Sequence, residues 1–317
     1  MTPPRVDILV IKLSALGDFV LAFPAFARIG ATHLNAPITL LTTPPFETLA
    51  KASPYFDRVW TDGRPAGVGG WLSLVFRIRQ ARFARVYDLQ CNDRTNLIFQ
   101  ALRPFPPMWS GTAAGSALPD RDPARMERHA LERQAQQLQS AGIWPDAPTA
   151  PMSAPPPDIS WLIGGTSYVE TLRPLALLIP GSAATRPLKR WPAAQYGVLA
   201  GALVERGFDV SILGAEQDRE LAATIRAASP GARDLTGRTD LGAVARLGAS
   251  AAVAIGNDTG PTHLVAAAGA PTVVLFSADS RPELSAPRGD VTILGEDDLA
   301  NLEVDEVLNA ALAAARS

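Results

Sequence analysis

Apolar residues along the chain gather into two recurring patterns. Short unbroken runs closed by turn-forming residues predict buried strands, and apolar residues spaced three or four apart predict helices. In the first half the strand-type runs fall at 6–13, 38–42, 58–60 and 86–90, with helix-type stretches at 19–29, 72–84 and 127–141. In the second half strands are predicted at 175–179, 209–213, 251–255 and 272–276, and helices at 193–206, 218–228, 263–268 and 304–314. Between the halves, residues 145–157 read PDAPTAPMSAPPP. Six prolines in thirteen residues remove backbone donors and fix φ, so an extended linker is predicted there. Strands alternating with helices imply parallel sheets with right-handed crossovers. The expected architecture is α/β: two doubly wound domains, over 1–157 and 158–317, facing each other across a central cleft. Ligands of such sheets bind beyond the carboxyl ends of the strands. No internal repeat or coiled coil interrupts the pattern.

Length leaves this picture unchanged, since 317 residues suit two domains of about 150 each. Charge excludes a function class. Twenty-nine Lys and Arg against 31 Asp and Glu leave a formal charge of −2, which argues against a protein that holds nucleic acid by bulk charge. A hydrophobic content of 47% with 19% charged residues is that of a folded chain, not a disordered one. Cys91 is the only cysteine, so neither an intramolecular disulfide nor a cysteine-rich metal site is expected. His33, His129 and His263 are too scattered for a His-based zinc site, so no metal and no cofactor is expected. The apolar run at 8–11 is too short for the core of an export signal, and Lys12 and Asp18 interrupt the apolar residues beyond it. A cytoplasmic protein is therefore expected, with attachment to a membrane surface left open. Of the 29 basic residues only Lys12, Lys51 and Lys189 are lysines. In a chain so biased towards Arg a lysine is informative, and Lys12 and Lys189 each fall within a motif that could carry chemistry.

The first motif, ILVIKLSALGDFVLAFP at 8–24, reads as a buried strand, a loop of small residues and a helix opened by Gly17 and Asp18. The loop leaves the carboxyl end of the first strand, and Asp18 is the only carboxylate between Asp7 and Glu47. Apolar surroundings suit a general base; a helix-capping carboxylate is the equally good alternative. The second motif, IPGSAATRPLKRW at 179–191, leaves the first strand of the second half. Gly181, Ser182 and Thr185 offer backbone and hydroxyl donors, and Lys189 and Arg190 offer cations, a set that suits a phosphate-bearing ligand. The bland alternative is a solvated surface loop. In the third motif, AIGNDTGPTHL at 254–264, a strand delivers Asn257 and Asp258, and Thr259 and Gly260 start a helix with Pro261 in its first turn. The amide groups of Thr259, Gly260 and Thr262 then face a ligand, the helix dipole favours phosphate, and His263 is within reach. The alternative is a helix capped by Asp258 with His263 packed nearby. Neither a Walker loop nor a GxGxxG fingerprint is present. Glu216, after the second strand of the second half, is placed to accept from ribose hydroxyls, or is an exposed loop carboxylate. Residues 77–133 carry ten arginines and six acidic residues. They form either a solvated face or a surface for anionic headgroups or a phosphorylated acceptor, each basic residue contributing about 1 kcal/mol near such a membrane.

The three motifs in this order, with YDLQ at 87–90, resemble glycosyltransferase family 9, the ADP-heptose:lipopolysaccharide heptosyltransferases, over nearly the whole chain. The resemblance implies a GT-B fold of two Rossmann-like domains, the first for the acceptor and the second for the nucleotide-sugar donor. In such folds the last helix often crosses back to the first domain. Metal-independent inversion at the anomeric carbon is implied as well, with transfer of heptose from ADP-heptose to a lipid-linked saccharide at the inner core of lipopolysaccharide. So is work at the cytoplasmic face of the inner membrane, with peripheral contact and no nucleic acid. By the same match Asp18 is the general base, Lys189 contacts the donor phosphates, and Glu216 the nucleoside. Asp258, Thr259, Gly260 and His263 hold the pyrophosphate and sugar. Arg190 competes with Lys189 for the phosphate role, and residues 277–281 depart from the family's Gly-containing loop. Another nucleotide-sugar donor, a nucleotide-sugar epimerase and a non-catalytic nucleotide-sugar-binding protein are the rival readings.

Overall fold

A central strand of a parallel sheet is covered on both faces, so all its residues must be apolar. Ile8–Ile11 (β1) meets this requirement, with all four side chains fully buried. The computed structural model describes residues 6–164, 173–183 and 185–315; residues 1–5 and Ala184 of the second motif lie outside them. The chain divides into two compact units, Met1–Ala154 and Pro155–Ser317.

In the first unit, β1 is joined by Ile38–Leu41 (β2), Arg58–Trp60 (β3), Arg85–Asp88 (β4), Met108–Gly111 (β5) and Leu118–Pro119 (β6). All ladders are parallel, in the order β3-β2-β1-β4-β5-β6, with Ile8 opposite both Ile38 and Arg85. Because side chains alternate across a strand, Leu9 and Ile11 enter one core layer. They meet the helices Gly67–Ala81 and Asp93–Ala101 there, through Leu74, Val75, Ile78, Ile98 and Phe99. A cluster of aromatic rings, Phe19, Phe23, Phe26 and Phe46 among them, packs edge to face and stacked elsewhere in the unit.

The second unit repeats the plan. Its strands are Leu175–Ile179 (β7), Asp209–Ile212 (β8), Arg233–Asp234 (β9), Val253–Asn257 (β10), Thr272–Phe276 (β11) and Val291–Gly295 (β12). They too are all parallel, in the order β12-β11-β10-β7-β8-β9. Read from β9, this is again third, second, first, fourth, fifth, sixth, the doubly wound dinucleotide-binding order.

The helices Asp93–Ala101 and Leu241–Ser250 were not expected, and several other differences from the sequence expectation have physical causes. The single helix predicted at 19–29 is two, Leu16–Val20 and Phe23–Thr32, because Pro24 begins a new first turn. Strands β5, β6, β9 and β12 were not expected, since they are short or carry too many exposed positions to give a clear apolar run. The proline-rich stretch is not free along its whole length. Thr149 O accepts from Arg128, Ala154 N donates to Glu132, and Ala154 packs with Leu21, Ala130 and Leu131. Finally, the last helix, Val304–Ala314, is part of the second unit, where its apolar face completes the core. Val307, Leu308 and Ala311 are buried there with Leu199, Val210 and Leu275, and Trp191 Nε1 donates to Leu302 O just before the helix.

Candidate functional site

In each unit the order of strands reverses beside the first strand, and the loops after the first and fourth strands flank a crevice there. In the second unit these strands are β7 and β10, and their loops carry the second and third motifs. Asn257, the last residue of β10 and fully buried, locks the two loops together. Its Oδ1 accepts from Trp191 N and from the Tyr196 hydroxyl, each at 3.1 Å. Its Nδ2 donates to Pro180 O at 2.7 Å and, more weakly, to Gly181 O at 3.4 Å. Gly256 before it allows close approach, since a Cβ there would stand 2.6 Å from Thr262 Oγ1 and 2.9 Å from Ile179 Cβ.

With the loops locked, Lys189 meets Asp258. Lys189 Nζ lies 2.6 Å from Asp258 Oδ2, Ser280 Oγ donates to the same oxygen at 2.7 Å, and His263 Nε2 lies 3.5 Å from Asp258 Oδ1. Burial alone would push the Asp258 carboxyl up, but hydrogen bonds from His263, Lys189 and Ser280 outweigh it and hold the group well below the usual carboxylate range. The cluster stands at the start of the helix Gly260–Ala267. Thr259 is its N-cap residue, Pro261 is in the first turn, and no side chain caps it. Orphan amides and the positive end of the helix dipole therefore adjoin an ammonium group, an arrangement suited to an anion.

The other expected residues of this unit are placed differently. Arg190 braces the loop, donating from Nε to Ser182 Oγ and from Nη2 to Ser182 O, both at 3.0 Å. Ser182 Oγ in turn donates to Arg186 O, so its hydroxyl serves the loop, and Lys189 alone of the two neighbouring cations joins the cluster. Thr185 is exposed on the loop. Glu216 is exposed beyond β8, 2.7 Å from Arg219, and outside the cluster. Ser280 was missed by sequence reasoning, and Asn257, named there only as part of the third motif, was not given its role as the lock. Ser280 arrives from the loop after β11 with no local signal, while Asn257 could have been found as the one amide closing an apolar strand.

In the first unit the loop after β1 is clamped. Gln90, beyond β4, accepts from Leu13 N at 2.8 Å and Ser14 N at 3.2 Å; Thr43 Oγ1 donates to Leu13 O, and Arg64 to Ser14 Oγ. Asp88 Oδ1 accepts from the amides of Gln90 and Cys91 and so shapes the turn that presents Gln90. Asp18 is half-buried on the third residue of the helix Leu16–Val20, and its Oδ2 accepts from Ala15 N at 3.3 Å. Its surroundings are not apolar as expected. Lys12, buried, and Arg133, from the helix Ala130–Ser140, both feel its charge. Burial lowers the pKa of each, and Asp18 opposes that shift in both. Burial pushes the Cys91 thiol up to about 12, so it stays protonated. Among the described residues no three His, Cys, Asp or Glu side chains cluster as a metal site, and no helix is long and apolar enough to cross a membrane.

Two doubly wound parallel sheets, each with polar residues gathered where its strand order reverses, make up a GT-B fold. The structure is similar to that of E. coli ADP-heptose lipopolysaccharide heptosyltransferase II, with a TM-score of 0.78 at 22% identity over 97% of this chain and 98% of that one. It is also similar to E. coli heptosyltransferase WaaC with ADP, with a TM-score of 0.76 at 20% identity over 98% and 100%. In sequence the chain is 27% identical over 299 residues to lipopolysaccharide heptosyltransferase 2 of Escherichia coli K12, covering 88% of this chain and 85% of the relative. Residues 71–302 match the profile of glycosyltransferase family 9 (heptosyltransferase). The chain belongs to that family and is a glycosyltransferase. The matched span begins after the first motif, so it does not include Asp18.

Proposed function

We propose that the chain is an inverting, metal-independent heptosyltransferase that moves heptose from ADP-heptose to the inner core of a lipopolysaccharide precursor. The observation that carries this reading is the cluster of Lys189, Asp258, His263 and Ser280 at the uncapped start of the helix Gly260–Ala267. It sets the Lys189 ammonium, held in place by Asp258, beside the orphan amides of a helix start, a group of donors that can receive a departing diphosphate. The choice of donor is supported by the similar structures, one of an ADP-heptose heptosyltransferase and one of a heptosyltransferase with ADP.

In this reading the second unit takes the donor and the first takes a lipid-linked saccharide. The acceptor oxygen attacks the anomeric carbon from the face opposite the diphosphate, Asp18 receives the hydroxyl proton, and the bond from sugar to phosphate oxygen breaks. Lys189 and the amides of Thr259 and Gly260 stabilise the leaving ADP, while Asp258 and His263 orient Lys189 and the sugar. Thr185 adds a hydroxyl to the phosphates, Ser182 holds the loop through Arg190, and Glu216 accepts from the ribose. The base contributes about 10²–10⁴-fold. The chain works at the cytoplasmic face of the inner membrane, in peripheral contact with it.

A thermal-shift series with ADP, UDP, GDP and ADP-heptose tests the donor, since a hundredfold excess over Kd stabilises by about 2.7 kcal/mol. Selective response to ADP and ADP-heptose is expected; preference for UDP or GDP would overturn the donor assignment. Release of ADP should require acceptor, and release without it would favour an epimerase. Asp18→Ala should keep ADP-heptose binding and lose turnover, and full activity in that variant would remove Asp18 from the mechanism.

A further inference from the structure

The helices Gly67–Ala81 and Asp93–Ala101 lie on one face of the first sheet, because their buried residues enter the same core cluster. A solvated helical layer would be polar on its outer side. This one is not. Val68, Leu72 and Phe76, spaced four apart along the first helix, are 76%, 55% and 61% exposed, and Leu97 on the second is 55% exposed. Phe105, in the loop beyond the second helix, is 90% exposed. That loop is tied to the first helix, where Arg79 Nη2 donates at 2.7 Å to the carbonyls of Ala101 and Arg103. A hollow of about 420 Å³ opens between Ile78, Arg82, Leu102 and Phe105.

The charge on this surface is predominantly positive. Arg77, Arg79, Arg82, Arg94 and Arg103 are exposed across residues 67–107, against a single exposed acid, Asp93. Arg77 shares its charge with Asp62, whereas Arg82 and Arg94 have no carboxylate partner among the described residues. Apolar side chains standing among arginines combine insertion with attraction to negative headgroups. The apolar positions are spread over two helices and a loop instead of lining one groove. That suits a fluid surface, which needs no complementary shape, better than a folded protein.

We infer that this helical layer is the face by which the chain docks on an anionic phospholipid surface. The inference deepens the lipid-linked-acceptor reading, and its test uses neither donor nor acceptor, so the two can fail separately. The full chain is sedimented with vesicles of phosphatidylcholine alone or mixed with phosphatidylglycerol. Binding to the mixed vesicles is expected, weakening as salt is raised. Phe76→Ser with Leu72→Ser should lower it about tenfold or more, and so should Arg82→Glu with Arg94→Glu. Circular dichroism and the thermal midpoint report whether each variant is folded. Equal binding to both vesicle types, or binding that folded variants retain, would overturn the inference. Concentration-dependent dimers that Phe76→Ser abolishes, with no vesicle binding, would assign the face to a second copy of the chain and overturn it too. Vesicle binding that persists while transfer fails would sink the transferase reading alone.

Discussion

Replacing Asn257 with Ala tests whether the second-unit site is organised by one buried amide. The variant loses hydrogen bonds from Trp191 N and the Tyr196 hydroxyl, each 3.1 Å, and the one to Pro180 O at 2.7 Å. The contact to Gly181 O, at 3.4 Å, is long and counts for little. Three buried bonds at about 1 kcal/mol each, with a further penalty for the orphaned Trp191 amide, give about 3–4 kcal/mol. The Tyr196 hydroxyl keeps a weak alternative in Ile179 O at 3.5 Å, which limits its share. For a unit of this size the loss corresponds to a fall of about 10 °C in Tm. Scanning calorimetry on the full chain would measure it, with the second-unit transition identified by its response to ADP. The loop carrying Lys189 should also lose its register against Asp258, so ADP affinity at a temperature where the variant is folded should drop about tenfold. Asn257→Asp keeps the acceptor but turns a charged oxygen towards Pro180 O, and should be at least as damaging. A midpoint lowered by less than about 3 °C, or unchanged ADP affinity in the folded variant, would refute the assignment.

Burial pushes the Asp88 carboxyl up to about 6, against the backbone hydrogen bonds from Cys91 and Gln90 that favour its ionised form. Its folded value lies above the unfolded one, so its contribution to stability is full below about pH 4 and is lost as pH rises through 6. Relative to Asp88→Asn, urea unfolding of the first unit should therefore show a decline of up to about 3 kcal/mol between pH 4 and 7; a constant offset would contradict this. Gln90→Leu orphans the amides of Leu13 and Ser14, which should cost about 2 kcal/mol and lower kcat about tenfold with ADP affinity unchanged; steady-state kinetics beside calorimetry would check it. Gly63→Ala places a Cβ against Leu13 Cδ2 and 2.5 Å from Thr42 O, so it should destabilise by about 1–3 kcal/mol, read from the thermal midpoint.

Central strands and long helices are legible in the sequence because burial on both faces leaves an unbroken apolar run. Strands 175–179 and 272–276 and the helix 304–314 have the limits that the apolar pattern predicts. Edge strands such as Val291–Gly295 escape it, since water on one side permits the exposed Thr292 and Ile293 to stand side by side without a pattern. The same distinction divides the site. Lys189, Asp258 and His263 lie in compact motifs, and the structure brings them together. Ser280 comes from a loop with no apolar period, and Arg133 reaches Asp18 from more than a hundred residues away, so only tertiary packing reveals either. Ser182 shows the converse: the motif offers its hydroxyl but does not reveal the bonds to Arg190 and Arg186 within the loop. The last helix shows a further limit, because its amphipathic pattern says that it packs but not on which unit.

The two units share a strand order without sharing a detectable sequence repeat, and each gathers most of its candidate polar residues on the loops past its first and fourth strands. Topology therefore sets the address of chemistry in this chain, and the residues at that address are free to differ. One copy of the plan holds a carboxylate in the field of a buried lysine and a half-buried arginine; the other holds an ammonium against a helix start. For relatives too distant to retain any motif, the loops and helix starts beyond those two strands in each half are where candidates should be sought. For an engineer, the same logic says that new specificity can be written by exchanging those short loops, with the twelve strands beneath left as they are.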